Sequence, residues 1–370
     1  MDIAVEPLQN GSFLEEWDSL ARLSSSGIFA TAEWHMAVQA GYANRGQPLV
    51  VTMREDGRLL GVAPFRLCGR LLFRDATLLG MGEGGYGIAD YAGLLAAPRR
   101  EHDVAEAVVA WLRERRDWDI LDLQQLPDGP LTDALLQAIS QTGLRSLVRR
   151  QNICHVIPLP ASWAEYQAGL SANTRQWLTR RPRKAERELG AQVEPVDADR
   201  LVDEYATMRR FQAQRFGGQP AALERRLTTV IKTWLPMAHE RGWLRMFRVQ
   251  SRSKTIGVFL GYEYEDAFYF HSSAFDTQKE LLPYGLGATL LAYALRWSID
   301  RGLKRFDMLR GDYEYKERLG TQQHSNYRVM AFRQPLMGRA LAALVRARTR
   351  FKGRRAWRAG PDALEKAGQA

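Results

Sequence analysis

Two stretches decide the reading: Leu281-Leu-Pro-Tyr-Gly-Leu-Gly-Ala288, and Arg305-Phe-Asp-Met-Leu-Arg-Gly-Asp-Tyr-Glu-Tyr-Lys316. Between them, Leu290, Leu291, Ala294, Leu295 and Trp297 recur at helical spacing, which predicts a helix from Leu286 to Asp300. Arg305 to Leu309 reads as a strand. Gly285 and Gly287 fall where the helix begins. Glycines there let a ligand approach the backbone, and the first N–H groups of a helix have no partner within it. Those donors and the positive end of the helix dipole suit a phosphate or diphosphate. The pattern is not a Walker loop, because no Gly-Lys-Ser/Thr follows. Nor is it a full dinucleotide fingerprint, because Leu290 stands where the third glycine belongs. A bare Gly-X-Gly pair also serves ordinary turns.

Upstream, Ala267-Phe-Tyr-Phe-His-Ser-Ser-Ala274 has the aromatic start of a strand and leads through Phe275–Glu280 into the glycine turn. Downstream, Arg310, Asp312, Tyr313, Glu314, Tyr315, Lys316, Glu317 and Arg318 crowd the exit of the Arg305 strand. A solvated loop is the competing reading of any charge run. Against it, the charges follow an apolar strand end, where α/β proteins tend to place sites, and two tyrosines are interleaved. The other glycine-rich stretch, Gly80-Met-Gly-Glu-Gly-Gly-Tyr-Gly87, precedes no long helix and reads as a turn or substrate-lining loop.

The halves of the chain echo each other. Pro48–Arg54 and Arg58–Phe65 read as a hairpin around Glu55-Asp-Gly57. Trp243–Val249 and Thr255–Tyr262 read as another. The helical run Glu101–Arg116 precedes the strand Trp118–Leu123, as the helix from Leu286 precedes Arg305–Leu309. This repeated order predicts two similar α/β lobes, at 1–155 and 156–335, with a basic helical tail at 336–370. Between Trp163 and His239 a helical stretch is expected. Its basic run is Arg175, Arg180, Arg181, Arg183, Lys184 and Arg187, and Pro182 within it should end or kink a helix. Gly217-Gly-Gln-Pro220 marks a loop.

The Leu281–Gly287 turn, the helix after it, and Phe306-Asp-Met-Leu-Arg-Gly-Asp-Tyr-Glu-Tyr-Lys-Glu-Arg318 resemble the acetyltransferase family associated with cellulose and other exopolysaccharide biosynthesis, within the GNAT superfamily. Ser171–Gly190 looks like its basic helix. The likeness covers about Leu170 to Gly320, and the amino-terminal half, with Asp90-Tyr91, is similar in outline. The tandem arrangement also resembles the Fem-type aminoacyl transferases. The resemblance implies tandem GNAT-like lobes, each a mixed, mostly antiparallel sheet flanked by helices, and an acyl-CoA donor. GNAT enzymes usually hold the diphosphate on an Arg/Gln-X-X-Gly-X-Gly/Ala loop. Here that frame is Leu282-Pro-Tyr-Gly-Leu-Gly287, so Leu282 replaces the Arg or Gln.

On that footing the cofactor residues are Ser272 and Ala274, for the thioester carbonyl and pantetheine amides, with Tyr284, Gly285, Leu286, Gly287 and Ala288 for the diphosphate. Acyl transfer needs a base for the nucleophile, a site for the oxyanion and an acid for the leaving thiolate. Glu314 or Asp312 is the candidate base, and Tyr313 or Tyr315 the acid. Lys316 and Arg310 are candidates to hold an anionic acceptor or the developing charge, and His271 to meet the acceptor. Salt bridges, ring packing or a satisfied core histidine are the competing roles. Cys154 and His155, adjacent on a strand, point to opposite faces and make a poor nucleophile pair.

The expected reaction moves an acetyl or longer acyl group to an amine or hydroxyl of a small molecule or saccharide. Two alternatives compete: a Fem-type transferase drawing on aminoacyl-tRNA, and a non-catalytic scaffold. The net charge of +10 favours polyanionic partners, but eight basic residues and no acid lie between Gly338 and Arg358. That tail suits an anionic membrane surface, and nucleic acid enters only with the tRNA alternative. No window is apolar enough to span a membrane, and the start of the chain lacks the pattern of a secretory signal. Cys68 and Cys154 are the only cysteines, too few for a disulfide framework or a structural zinc site. The expected location is the cytoplasm, with peripheral attachment at the inner membrane through the tail, and no metal is expected.

Overall fold

The computed structural model describes residues 1–8, 11–24, 26–69, 74–78, 89–218, 221–333 and 343. The Gly80–Gly87 stretch, Gln219-Pro220 and nearly all of the basic tail lie outside the described residues. The chain divides into two compact units, Met1–Ile153 with His324–Ala370, and Cys154–Gln323.

The first unit runs β1 (Asp2–Glu6), α1 (Gly11–Leu23), α2 (Ala32–Gly41), β2 (Gln47–Glu55), β3 (Arg58–Gly69), β4 (Arg74–Leu78), β5 (Leu95–Ala96), α3 (Glu101–Glu114), β6 (Ile120–Pro127), α4 (Pro130–Gln141) and β7 (Arg145–Pro158). β1 to β4 pair antiparallel in sequence order, and β4 then pairs parallel with β6. The β2–β3 hairpin closes on Asp56 and Gly57, both left-handed, as a two-residue turn matched to strand twist requires. On α1, Phe13, Trp17, Leu20 and Ala21 share one face and are buried in the core of this unit.

The second unit takes the last residues of β7 and continues through α5 (Trp163–Ala168), α6 (Ala172–Leu189), β8 (Gln192–Pro195), α7 (Leu201–Phe216), α8 (Ala221–Glu240), β9 (Leu244–Ser251), β10 (Lys254–Tyr264), β11 (Ala267–Phe275), α9 (Leu286–Asp300), β12 (Arg305–Arg310) and the single turn α10 (Glu314–Glu317). β8 to β11 are antiparallel, β11 and β12 parallel, and β12 pairs antiparallel with the end of β7. A column of rings, Phe247, Phe259, Phe268 and Phe306, crosses four strands with neighbouring centroids 5.1–5.9 Å apart. Leu286, Leu290, Leu291 and Leu295 of α9 close this core.

The chain then forms β13 (Gln322–Phe332), most of which lies in the first unit, against β6. Residues 324–333 therefore belong with the first unit, where the sequence suggested a continuous second lobe to 335. Two local expectations also need correction. α6 runs unbroken through Pro182. The proline removes one helical donor, but Leu178 and Ala185 on either side are buried in the core, and that packing carries the helix across. β8, a four-residue edge strand, falls inside the stretch from Trp163 to His239 read as helical, where no strand was expected.

Candidate functional site

β11 and β12 are hydrogen-bonded only at Ala267↔Arg305, Phe268↔Phe306 and Tyr269↔Asp307, among the described residues. Beyond that point β11 continues from Phe270 to Phe275 with its ladder on the β10 side, where Leu260 faces Ser272 and Val258 faces Ala274. β12 departs because it is bulged. Against β7, the pairing jumps from Asp307↔Val156 to Arg310↔Cys154, and Leu309 sits at φ 57°. The result is a notch whose β11 wall offers strand-edge amides and carbonyls.

Two side chains lock the bulge. The Asp307 carboxylate accepts from the Leu309 amide at 2.7 Å. The Lys316 ammonium donates to the carbonyls of Met308, Leu309 and Arg310 at 2.7, 3.0 and 3.0 Å. Lys316 is 3% exposed. All three N–H groups of its ammonium therefore meet backbone carbonyls, and the expected anion-holding duty gives way to a positioning one. The Lys316 carbonyl accepts from the Thr321 hydroxyl, which lies 3.0 Å from Nδ1 of the buried His155. Burial, and then the nearby Lys316 charge, lower the pKa of His155. Gly311 between bulge and turn has φ 120°, and a Cβ there would stand 2.7 Å from the Tyr313 ring.

Asp312, Tyr313, Glu314 and Tyr315 of the polar turn are largely exposed. Tyr313 and Tyr315 form a stacked pair with centroids 6.1 Å apart. The pKa of Tyr315 is raised by burial of its hydroxyl and by neighbouring Tyr313, so it stays protonated at neutral pH. Asp312 is exposed but within electrostatic reach of His155. Glu314 is held by Arg318 one helical turn on, which ties this candidate base into a surface ion pair. Arg310 is half-buried, with its carbonyl on Lys316. His271, half-buried on β11, packs its ring 5.3 Å from Tyr262.

The glycine turn follows the far end of β11. A short 3-10 turn, Leu282–Tyr284, leads into Gly285 at φ 61°, and α9 begins at Leu286. Ala288 donates back to the Gly285 carbonyl at 2.8 Å, while the amides of Leu286 and Gly287 open the helix. The first turn of α9 carries no acid. A Cβ at Gly287 would come within 3.1 Å of the Phe275 ring, so the glycine lets the helix start against the strand.

One wall was not legible as a site. α7 is anchored by the buried Glu204, which accepts from Arg248 and Thr255, each at 3.1 Å. From that anchor its last turns reach β11. Gln212 donates to the Ser272 hydroxyl at 2.7 Å, and the Arg215 guanidinium lies 5.5 Å from the Phe275 ring centre. Arg215 also acts electrostatically on Tyr315. The only sequence signal for these residues was their place just before Gly217-Gly218. Among the described residues, no cluster of three or more His, Cys, Asp or Glu could hold a metal, and no helix is long and apolar enough to cross a membrane.

Residues 172–317 match the family model described as the acetyltransferase (GNAT) domain. Three solved structures share the tandem fold over most of the chain. FemX is 11% identical with a TM-score of 0.64, covering 91% of this chain and 98% of its own. The L-PGS of Bacillus licheniformis is 10% identical at a TM-score of 0.54, covering 90% and 96%. A tandem GNAT protein from the clavulanic acid biosynthesis pathway is 14% identical at 0.50, covering 90% and 99%. No curated protein matches the chain. At these identities the structures speak for the fold: tandem GNAT-like lobes, each a mixed, mostly antiparallel sheet flanked by helices.

Proposed function

We propose that the second unit transfers an acyl group, acetyl or longer, from acyl-CoA to an amine, or a hydroxyl, of a small-molecule or saccharide acceptor. The observation that carries this reading is that β11 parts from β12 after Tyr269, where β12 bulges, and runs on to Phe275 and toward the acid-free start of α9. The pantetheine arm of the donor has amides that can pair with such an edge as an added strand does, while the donor's diphosphate meets the amides of Leu286 and Gly287.

The chemistry then falls at the notch. The acceptor nitrogen attacks the thioester carbonyl, and backbone N–H groups near Ser272 to Ala274 stabilise the oxyanion. The C–S bond breaks, and the thiolate takes the proton of the Tyr315 hydroxyl, which is protonated at neutral pH. Asp312 receives the proton released by the nucleophile, through water. Lys316 acts indirectly, by holding the strand end that forms the wall. The sequence resemblance is what supports assigning such a reaction to polysaccharide or cell-envelope synthesis, as part of the same proposal. In that setting the basic tail would hold a cytoplasmic protein at the anionic inner membrane. Vesicle flotation that is unchanged on deleting residues 337–370 removes the membrane part.

A second reading, aminoacyl-tRNA as donor, is favoured by the exposed Arg175, Arg180, Arg183 and Arg187 of α6. A thermal-shift screen separates the two. Stabilisation by CoA and acyl-CoAs supports the first. Stabilisation by charged tRNA alone, steeply lost with salt, replaces it. No shift with either favours a scaffold.

A further inference from the structure

The glycine turn lacks the side chain that GNAT loops use on the diphosphate: Leu282 occupies that position, and it is 55% exposed. A guanidinium nevertheless stands beside the loop, delivered from another helix. Arg181 of α6 lays its side chain across Gly285, with a Cβ built at that glycine lying 3.0 Å from Arg181 Cδ and 3.2 Å from Cγ. Its Nη1 donates to the Pro283 carbonyl, which fixes the guanidinium against the turn. One turn along α6, the Lys184 ammonium sits 5.0 Å from the ring centre of Tyr284, the residue before Gly285. α6 is held in this position by Leu178 and Ala185, buried in the same core as Leu286 and Leu290 of α9. Two cations therefore flank a turn whose helix start carries no acid. The contact suits a glycine, since a side chain at 285 would crowd the arginine stem as well as strain a left-handed backbone.

We propose that Arg181, seconded by Lys184, supplies in trans the diphosphate contact that Leu282 cannot make, so that α6 and not the loop itself provides the side-chain charge for the donor's diphosphate. This rests on the acyl-CoA reading above. A guanidinium has five N–H groups, and one on Pro283 leaves others for phosphate oxygens.

The test measures calorimetric dissociation constants of the full-length protein for CoA, dephospho-CoA and pantetheine, each with wild type, Arg181→Ala, Arg181→Met and the double variant Arg181→Ala/Leu282→Arg. Loss of a charge-assisted contact should weaken CoA and dephospho-CoA alike, roughly ten- to a hundred-fold. Pantetheine, which has no diphosphate, should be unaffected. Arg181→Met keeps the aliphatic packing over Gly285 and should lose as much affinity as Arg181→Ala. Leu282→Arg, restoring the charge from the loop, should recover most of what Arg181→Ala lost. A purely structural staple would move pantetheine too, and the Leu282→Arg rescue would fail. If wild type binds CoA and the single variants bind it equally well, the inference is overturned and the donor reading stands. If wild type binds no CoA, both fall.

Discussion

The two units carry the same bulge and use it differently. On β12 the pairing advances by three residues against two of β7, with Leu309 left-handed before it resumes. On β6 it advances in the same way, from Leu123↔Val329 to Leu126↔Tyr327, with Gln125 at φ 59° in the corresponding place. In the first unit the bulge is filled from within. The Gln125 side-chain carbonyl accepts from Asn152 and Asn326, its backbone N–H donates to the Gln151 side-chain carbonyl, and its backbone carbonyl accepts from the Ala92 N–H. In the second unit a lysine caps the bulge, and the described β11–β12 ladder ends at Tyr269. The helix starts differ likewise. α3 begins with Glu101 and Asp103, which occupy its positive end with the protein's own carboxylates. α9 begins with Leu286-Gly-Ala-Thr289 and carries no acid there. On the function proposed above, a few side chains make the difference between a filled frame and a donor site.

Lys316→Met should break the comparison hardest. It leaves three carbonyls without their shared donor, at roughly 1–3 kcal/mol for each that stays buried and unsatisfied. We expect acyl transfer to fall at least about a hundred-fold, as misplacement of a reacting geometry does, with a lower melting temperature. A near-wild-type rate would refute the role given to the bulge. Tyr315→Phe should lower turnover on the order of a hundred-fold while donor affinity holds, which steady-state kinetics and calorimetry would separate. Equal losses in both would make Tyr315 a binding residue. Gln125→Ala, the first unit's counterpart, should cost about 1–3 kcal/mol in denaturant unfolding and leave donor binding untouched.

The smallest effect concerns pH. His35 of α2 is fully buried against Trp17, and burial lowers its pKa to about 4, with its Nδ1–H donated to the Thr31 carbonyl. The unfolded chain takes up this proton at higher pH than the folded one. The first unit should therefore keep its full stability above the ordinary histidine pKa and lose up to about 3 kcal/mol as pH falls from 6.5 through 4. A His35→Gln variant should flatten that part of the unfolding profile, and an unchanged slope would remove the assignment.

Much of this was legible because it is local. The hairpins at Asp56-Gly57 and Arg252-Ser253, α9 and the strand entering Arg310 follow from periodicity and turn chemistry. The pairing of β13 with β6 was not legible, since register between segments two hundred residues apart leaves no mark on either alone. Lys316 shows a second limit. Beside Glu314, Glu317 and Arg318 it reads as one more surface charge, and only the fold reveals that it alone among them is buried. The α7 wall was missed for the same reason: Gln212 and Arg215 look like any polar helix end until β11 is set beneath them.

Hydrogen–deuterium exchange with and without acetyl-CoA tests the central contrast most directly. The account predicts protection at Phe270–Phe275 and Gly285–Thr289, and none at β4 or β6. Protection in the first unit's strands, or at neither place, would contradict it.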